Sequence, residues 1–233
     1  MKLLRTFGFS LCLALAPLAA ATISSDANAS VMIAVPFENL VKDADAVAVI
    51  VPQEAKSVWE DGRIYTYTRV KVETPIAGDT SGGEVWIRTM GGVVGKVGQL
   101  VDGEPVFSTN KSNLLFLRKF KAGGTWEVSA RAQGQYPVVL DELRKTKRLM
   151  RSANVGMLLP PKRAQQESAA AGVAQGPIAP QSVDGQKPTG DTTADVSKIR
   201  LAGDVLNDRP LDEAAKEIAT TWKRLHPQTN GAK

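Results

Sequence analysis

One stretch of this chain leaves little freedom in how it can fold. After Asp61-Gly62, the residues Ile64, Thr66, Thr68, Val70 and Val72 alternate with Tyr65, Tyr67, Arg69, Lys71 and Glu73. A period of two, sustained by β-branched and aromatic side chains, predicts a β-strand with two unlike faces. Just before it, Ala46 to Val51 is an unbroken apolar run rich in valine, which continues less apolarly to Trp59. Such a run predicts a strand covered on both faces. Glu60-Asp61-Gly62 joins the two as a turn, because Asp-Gly tolerates positive φ. Together they form one long hairpin.

The same reasoning extends along the chain. Pro36 to Asp45 reads as a short helix or turn. Glu84 to Thr89 is a strand with Val85 and Ile87 opposite Trp86 and Arg88. Val106-Phe107 is a short strand, Leu114 to Leu117 a strongly apolar one, and Thr125 to Ala132 another alternating one. Gly78–Gly83 and Lys121–Gly124 are turns. The expectation is a mainly β protein, a small antiparallel barrel of five to six strands with a C-terminal helical extension. First strands long enough to bend across the structure favour a barrel like the oligonucleotide/oligosaccharide-binding (OB) fold over a flat sandwich.

Beyond the strands the pattern changes. Leu140 to Met150 predicts a helix, with Asp141 and Glu142 at its start and Arg144, Lys145, Lys147, Arg148 and Arg151 toward its end, matching the helix dipole. Residues 162–195 hold no aromatic and are rich in Ala, Gln, Gly, Pro, Ser and Thr, a linker composition that cannot offset chain ordering by burial. Pro210 to Leu225 predicts a second helix, with Asp208 as its cap and Leu211, Ala215, Ile218, Trp222 and Leu225 in one apolar stripe. A single helix of that length is marginal alone. Leu211, Ile218, Trp222 and Leu225 must therefore dock on the barrel or on a partner.

The start of the chain reads as a secretory signal. Lys2 and Arg5 precede an apolar run from Thr6 to Ala21, and Ala27-Asn28-Ala29 offers a cleavage pattern. The organisation is then a signal at 1–29, a barrel domain ending in the basic helix at 30–160, a linker at 161–195 and an amphipathic helix at 196–233. Localisation is expected to be periplasmic or secreted, with no transmembrane segment after processing. Cys12, the one cysteine, lies in the signal, so the processed chain has no disulfide.

Charge is unevenly spread over a net of +5. Residues 30–117 carry eight basic and eleven acidic side chains, whereas 118–163 carry eleven basic and three acidic. The basic block, chiefly Arg144, Lys145, Lys147, Arg148 and Arg151, is a candidate contact for an anionic surface.

Catalytic chemistry finds little material. His226 is the one histidine, which disfavours a histidine-assisted nucleophile and a histidine–cysteine zinc site. No metal site and no cofactor is expected. Glu60, Asp61, Asp102 and Glu104 are loop carboxylates at spacings typical of turns, not of a hydrolytic pair. Gly91-Gly92-Val93-Val94-Gly95-Lys96-Val97-Gly98 fails as a phosphate loop, with Met90 and Val97 where Gly and Ser/Thr are needed. It reads as a loop at a barrel rim, where binding residues concentrate.

The ligand-binding candidates are Gly92, Gly95 and Lys96 on that rim, and Tyr65, Tyr67, Trp86 and Arg88 on an outward strand face. A similar face on barrels binds single-stranded nucleic acid. Here export makes nucleic acid an unexpected ligand and a protein, peptide or glycan the expected one.

Residues 44–136 resemble a group of uncharacterised exported bacterial proteins in Ala44-Asp45-Ala46-Val47, Trp59 to Ile64, Gly91 to Gly95, Gly103 to Phe107, Leu114 to Leu117 and Ala132-Gln133-Gly134. The resemblance implies a shared fold and export. A weaker likeness runs to netrin-like domains, including tissue inhibitors of metalloproteinases, and implies a curved five-stranded barrel. Those inhibitors ligate zinc through an N-terminal cysteine that this chain lacks. The expected function is a non-catalytic exported binding module. The alternatives are an envelope scaffold docking through the C-terminal helix and a netrin-like protease modulator.

Overall fold

The computed structural model describes residues 31–80, 83–120, 124–161 and 199–227. The expected signal and most of the expected linker lie outside them. The predicted hairpin is the largest element. Strands β2 (Ala46–Glu60) and β3 (Arg63–Gly78) pair antiparallel along their whole length. Asp61 and Gly62 both adopt positive φ at the turn. Register shifts after Val47, Val49 and Pro52 bend β2, which lets one strand serve the barrel wall and then project past it. Pro52 at the last of these has no N–H for the ladder to lose.

Strand β4 (Glu84–Met90) pairs with β3, and β7 (Asn113–Lys119) pairs with the start of β2. The short β8 (Trp126–Val128) joins β7 antiparallel and β4 parallel, closing a five-stranded barrel in the order β2-β3-β4-β8-β7. The barrel is therefore mixed, where an all-antiparallel one was expected. The closing strand is short because the chain turns into a 3-10 helix at Arg131–Gly134. The closure is thin too, since β4 and β8 share a single paired position, Ile87 with Trp126.

Two apolar clusters share the wall. Ala46, Ala48, Ile50, Val70, Ile87 and Leu117 fill the barrel interior with Trp126. The opposite side chains of the same strands, Val47, Val49, Leu114 and Phe116, face out and are covered in turn. Their cover is α1 (Phe37–Lys42), α2 (Ala202–Leu206) and α3 (Leu211–Leu225). Burial on both sides is the physical reason for the unbroken apolar runs. Beside this layer, β1 (Val31–Ile33) pairs parallel with β11 (Met157–Leu159).

The basic helix does not form. In its place β9 (Gln135–Asp141) and β10 (Thr146–Leu149) make a hairpin on the edge of β7. Asp141 Oδ1 accepts hydrogen bonds from the N–H groups of Leu143 and Arg144, both at 3.1 Å, and Lys145 takes a positive φ. A side chain that satisfies the backbone two and three residues on favours a turn over a helix. Leu149 is thereby delivered into the outer cluster. Val106-Phe107 is not a strand, and β5 (Gly92–Val94) pairs with β6 (Val97–Gln99) where a loop was expected. Among the described residues no helix is long and apolar enough to cross a membrane.

Candidate functional site

The four outward candidates on β3 and β4 do share a face, but it is largely self-satisfied. Tyr67 lies opposite Arg88, and Arg69 opposite Trp86. The Arg88 guanidinium carbon sits 3.5 Å from the Tyr65 ring centroid and 4.6 Å from that of Phe120. Its two terminal nitrogens reach Glu60 at 3.3 Å and Glu127 at 3.2 Å. Tyr67 donates its hydroxyl to Glu60 at 2.8 Å. The Tyr67 hydrogen bond, with Arg88 beside it, holds the Glu60 carboxyl below its ordinary range against a partial desolvation. Burial and the Glu60 partner push the Tyr67 phenol up. This is a clasp that ties the β2–β3 turn to β4, β8 and the end of β7. Only 11% of the Arg88 side chain remains exposed, so the cation is spent inside the protein. Trp86, at 40%, is the open member of the set.

The rim differs. On the inner face of β3 the aliphatic series is interrupted between Val70 and the buried Ile64 by Thr68 and Thr66. Thr89 faces Thr66 across β4, and Ala55 and Ser57 oppose Thr68 and Thr66 across β2. Small polar side chains leave the top of the barrel unfilled. Residues 91–112 cross this opening between β4 and β7. The result is a mouth cavity of about 480 Å³, within the usual ~300–1,000 Å³ range of ligand sites. Its rim is apolar: Met90, Val93, Leu100, Val101, Val106 and Phe107. Leu100 is 88% exposed, Val93 66% and Val106 59%. These exposed apolar side chains are gathered around one cavity and not scattered singly over the surface.

The excursion is anchored, not loose. Thr66 Oγ1 donates to the Gly91 carbonyl at 2.7 Å, Ser57 and Thr66 share a 2.8 Å hydroxyl contact, and Gln99 Oε1 accepts from Ile64 N at 2.8 Å. Gly92 is where the chain crosses the barrel edge. A Cβ there would lie 2.3 Å from Thr66 Oγ1 and 2.4 Å from Ser57 Oγ, at a φ of +134°. Gly92 and Gly98 line the cavity. Gly95 and Lys96 form the tip of the β5–β6 hairpin and do not, so those two rim candidates stand apart from it.

Glu104 stands on the far wall, nine-tenths buried. Its Oε2 accepts from Met90 N at 3.1 Å and its Oε1 pairs with Arg131 at 3.3 Å. The other loop acids are elsewhere: Glu60 in the clasp, Asp61 at the turn. Sequence reasoning missed Leu100, Val106, Phe107 and the three threonines. The alternation did place Thr66 and Thr68 inward. It carried no signal that 91–107 would fold over them.

The C-terminal stripe is turned inward on its own chain. Ile218 is fully buried, and Leu211, Trp222 and Leu225 pack against the outer cluster. Of the two docking modes the sequence left open, the structure shows the stripe packed on its own barrel, with Leu211, Trp222 and Leu225 partly buried there. Asp208 does not cap the helix but pairs with Arg148 at 2.9 Å. His226, the one histidine, stacks on Trp222 with ring centroids 3.9 Å apart. Of the basic block, Arg144, Lys145, Lys147 and Arg148 each pair with an acid of this chain, respectively Asp141, Glu142, Glu73 and Asp208. Arg151 donates to the Gly156 carbonyl. Two of these four acids, Asp141 and Glu142, belong to the basic block itself, and Glu73 and Asp208 come from outside it.

No protein-family model, curated protein or solved structure matches this chain.

Proposed function

We propose that the protein is an exported binding module, without catalytic chemistry of its own, which takes an apolar group of its ligand into the barrel mouth. The mouth cavity carries this reading: about 480 Å³, floored by threonines and rimmed by exposed aliphatic side chains. Burying such a rim is favourable by roughly 25 cal/mol per Å² of apolar area removed from water. The sequence left protein, peptide and glycan open. A glycan suits the rim least, because sugar hydroxyls would face aliphatic groups, and the aromatic platforms Tyr65 and Tyr67 are engaged in the clasp. Both oxygens of Glu104, the acid at the mouth, are engaged as well, which supports binding over acid–base work. Export rests on the N-terminal signal pattern.

The test uses an uncharged environment-sensitive dye, N-phenyl-1-naphthylamine. Its emission should rise saturably with the protein. Ala55 lines the cavity from an exposed strand position, so Ala55→Trp fills the mouth without touching either core. The variant should lose the emission and keep the unfolding midpoint. Equal emission from both forms would put the dye elsewhere and defeat the reading.

A further inference from the structure

Beside the mouth lies a second, smaller cavity of about 160 Å³. It occupies the seam where β4 and β8 separate after their single paired position. Arg88, Arg118, Arg131, Glu104 and Glu127 supply its charges, three cationic and two anionic. Thr89, Met90, Glu104 and Pro105 line both cavities, so an apolar chamber and a charged one share a wall.

Each carboxylate oxygen of the seam faces a cation or an N–H of this chain. Glu127 spends one oxygen on Arg88 and the other on Arg118, at 3.2 and 3.1 Å. Glu104 spends its two on Arg131 and Met90 N, at 3.3 and 3.1 Å. Each guanidinium has five N–H donors. Arg118 and Arg131 each make one ion pair here and are 58% and 52% exposed. Their remaining N–H groups have no protein acceptor among the described residues. Two half-exposed guanidinium groups with N–H donors to spare suit a carboxylate, which arginine binds through paired N–H groups.

Building on the mouth reading, we propose that the ligand is a small single-chain amphiphile with a carboxylate head. Its tail enters the mouth beneath Leu100 and Val106, and its head crosses the shared wall to Arg118 and Arg131. The neutral dye tests the mouth alone; head-group preference tests the seam.

The experiment titrates the full chain calorimetrically with decanoate, decanol and decyltrimethylammonium, which share a tail and differ in head charge. Decanoate should bind at least tenfold tighter than decanol, and the cation weakest. In Arg118→Gln/Arg131→Gln the decanoate advantage should vanish while decanol is unaffected. Glu104→Gln keeps an amide oxygen for Met90 N and removes the nearest negative charge, so decanoate should tighten further. Equal affinity for decanoate and decanol, with both lost in Ala55→Trp, overturns the carboxylate assignment and leaves the mouth reading intact. Preference for the cation overturns it as well. Binding of none of the three removes the mouth reading and this inference together.

Discussion

Ile218→Ala asks whether the C-terminal helix belongs to the core of this protein or is held for something else. The Ile218 side chain, on the inner face of α3, is fully buried in the cluster that also holds Phe37, Leu40, Phe116 and Leu206. Truncating such a side chain removes its transfer free energy and leaves a cavity, together about 2–5 kcal/mol. A domain of this kind has only about 5–15 kcal/mol in total, so the loss is a large fraction. Leu143, 96% exposed at the β9–β10 turn, is the control. Leu143→Ala should stay within about 0.5 kcal/mol of the parent. Urea unfolding followed by circular dichroism and tryptophan fluorescence gives both numbers. The midpoint should fall at unchanged slope for Ile218→Ala. By heat, 3 kcal/mol corresponds to a drop of roughly 6–12 °C for a chain of this size. An Ile218→Ala shift no larger than the Leu143→Ala shift would refute the reasoning and return the apolar stripe to a partner.

Three further outcomes follow from particular contacts. Gly92→Ala forces a Cβ into Thr66 and Ser57 at a positive φ and should cost about 2 kcal/mol along with the dye response, whereas Gly95→Ala meets open space at φ +61° and should cost only about 1 kcal/mol; similar thermal shifts for the two would contradict the close approach. Arg88→Met strips Glu60 and Glu127 of their shared cation and should cost about 2 kcal/mol, while the Glu60 carboxyl rises back toward its ordinary value, as NMR titration would read; an unmoved Glu60 would show that Arg88 contributes nothing there. Burial pushes Glu217 up, but hydrogen bonds and charge from Arg209 and Arg200 outweigh it, and its carboxyl lies below the ordinary 4.5. A lowered folded value means the added stability is present above that ordinary value and is lost as pH falls through the folded one. The midpoint of the parent should therefore drop more steeply on acidification below about 4.5 than that of Glu217→Gln; parallel curves would remove Glu217 from the acid response.

What the sequence determined by itself was whatever rests on local periodicity. The alternation from Ile64 to Val72 and the valine run from Ala46 to Val51 specify strand, face and turn without outside help, because side chains two apart must share a face. The apolar stripe of α3 was legible for the same reason, although nothing local says what covers it. The tertiary structure decided the rest. It chose a hairpin where a helix was expected from Leu140 to Met150, because an Asp141 turn and the pull of Leu149 into the core outweighed a favourable order of charges. It spent Arg88 in a clasp with groups up to 39 residues away, a pairing no spacing rule foretells. It also folded 91–107 over three inward threonines to make the mouth. A cavity is a property of what distant segments fail to fill, and no single segment carries that information.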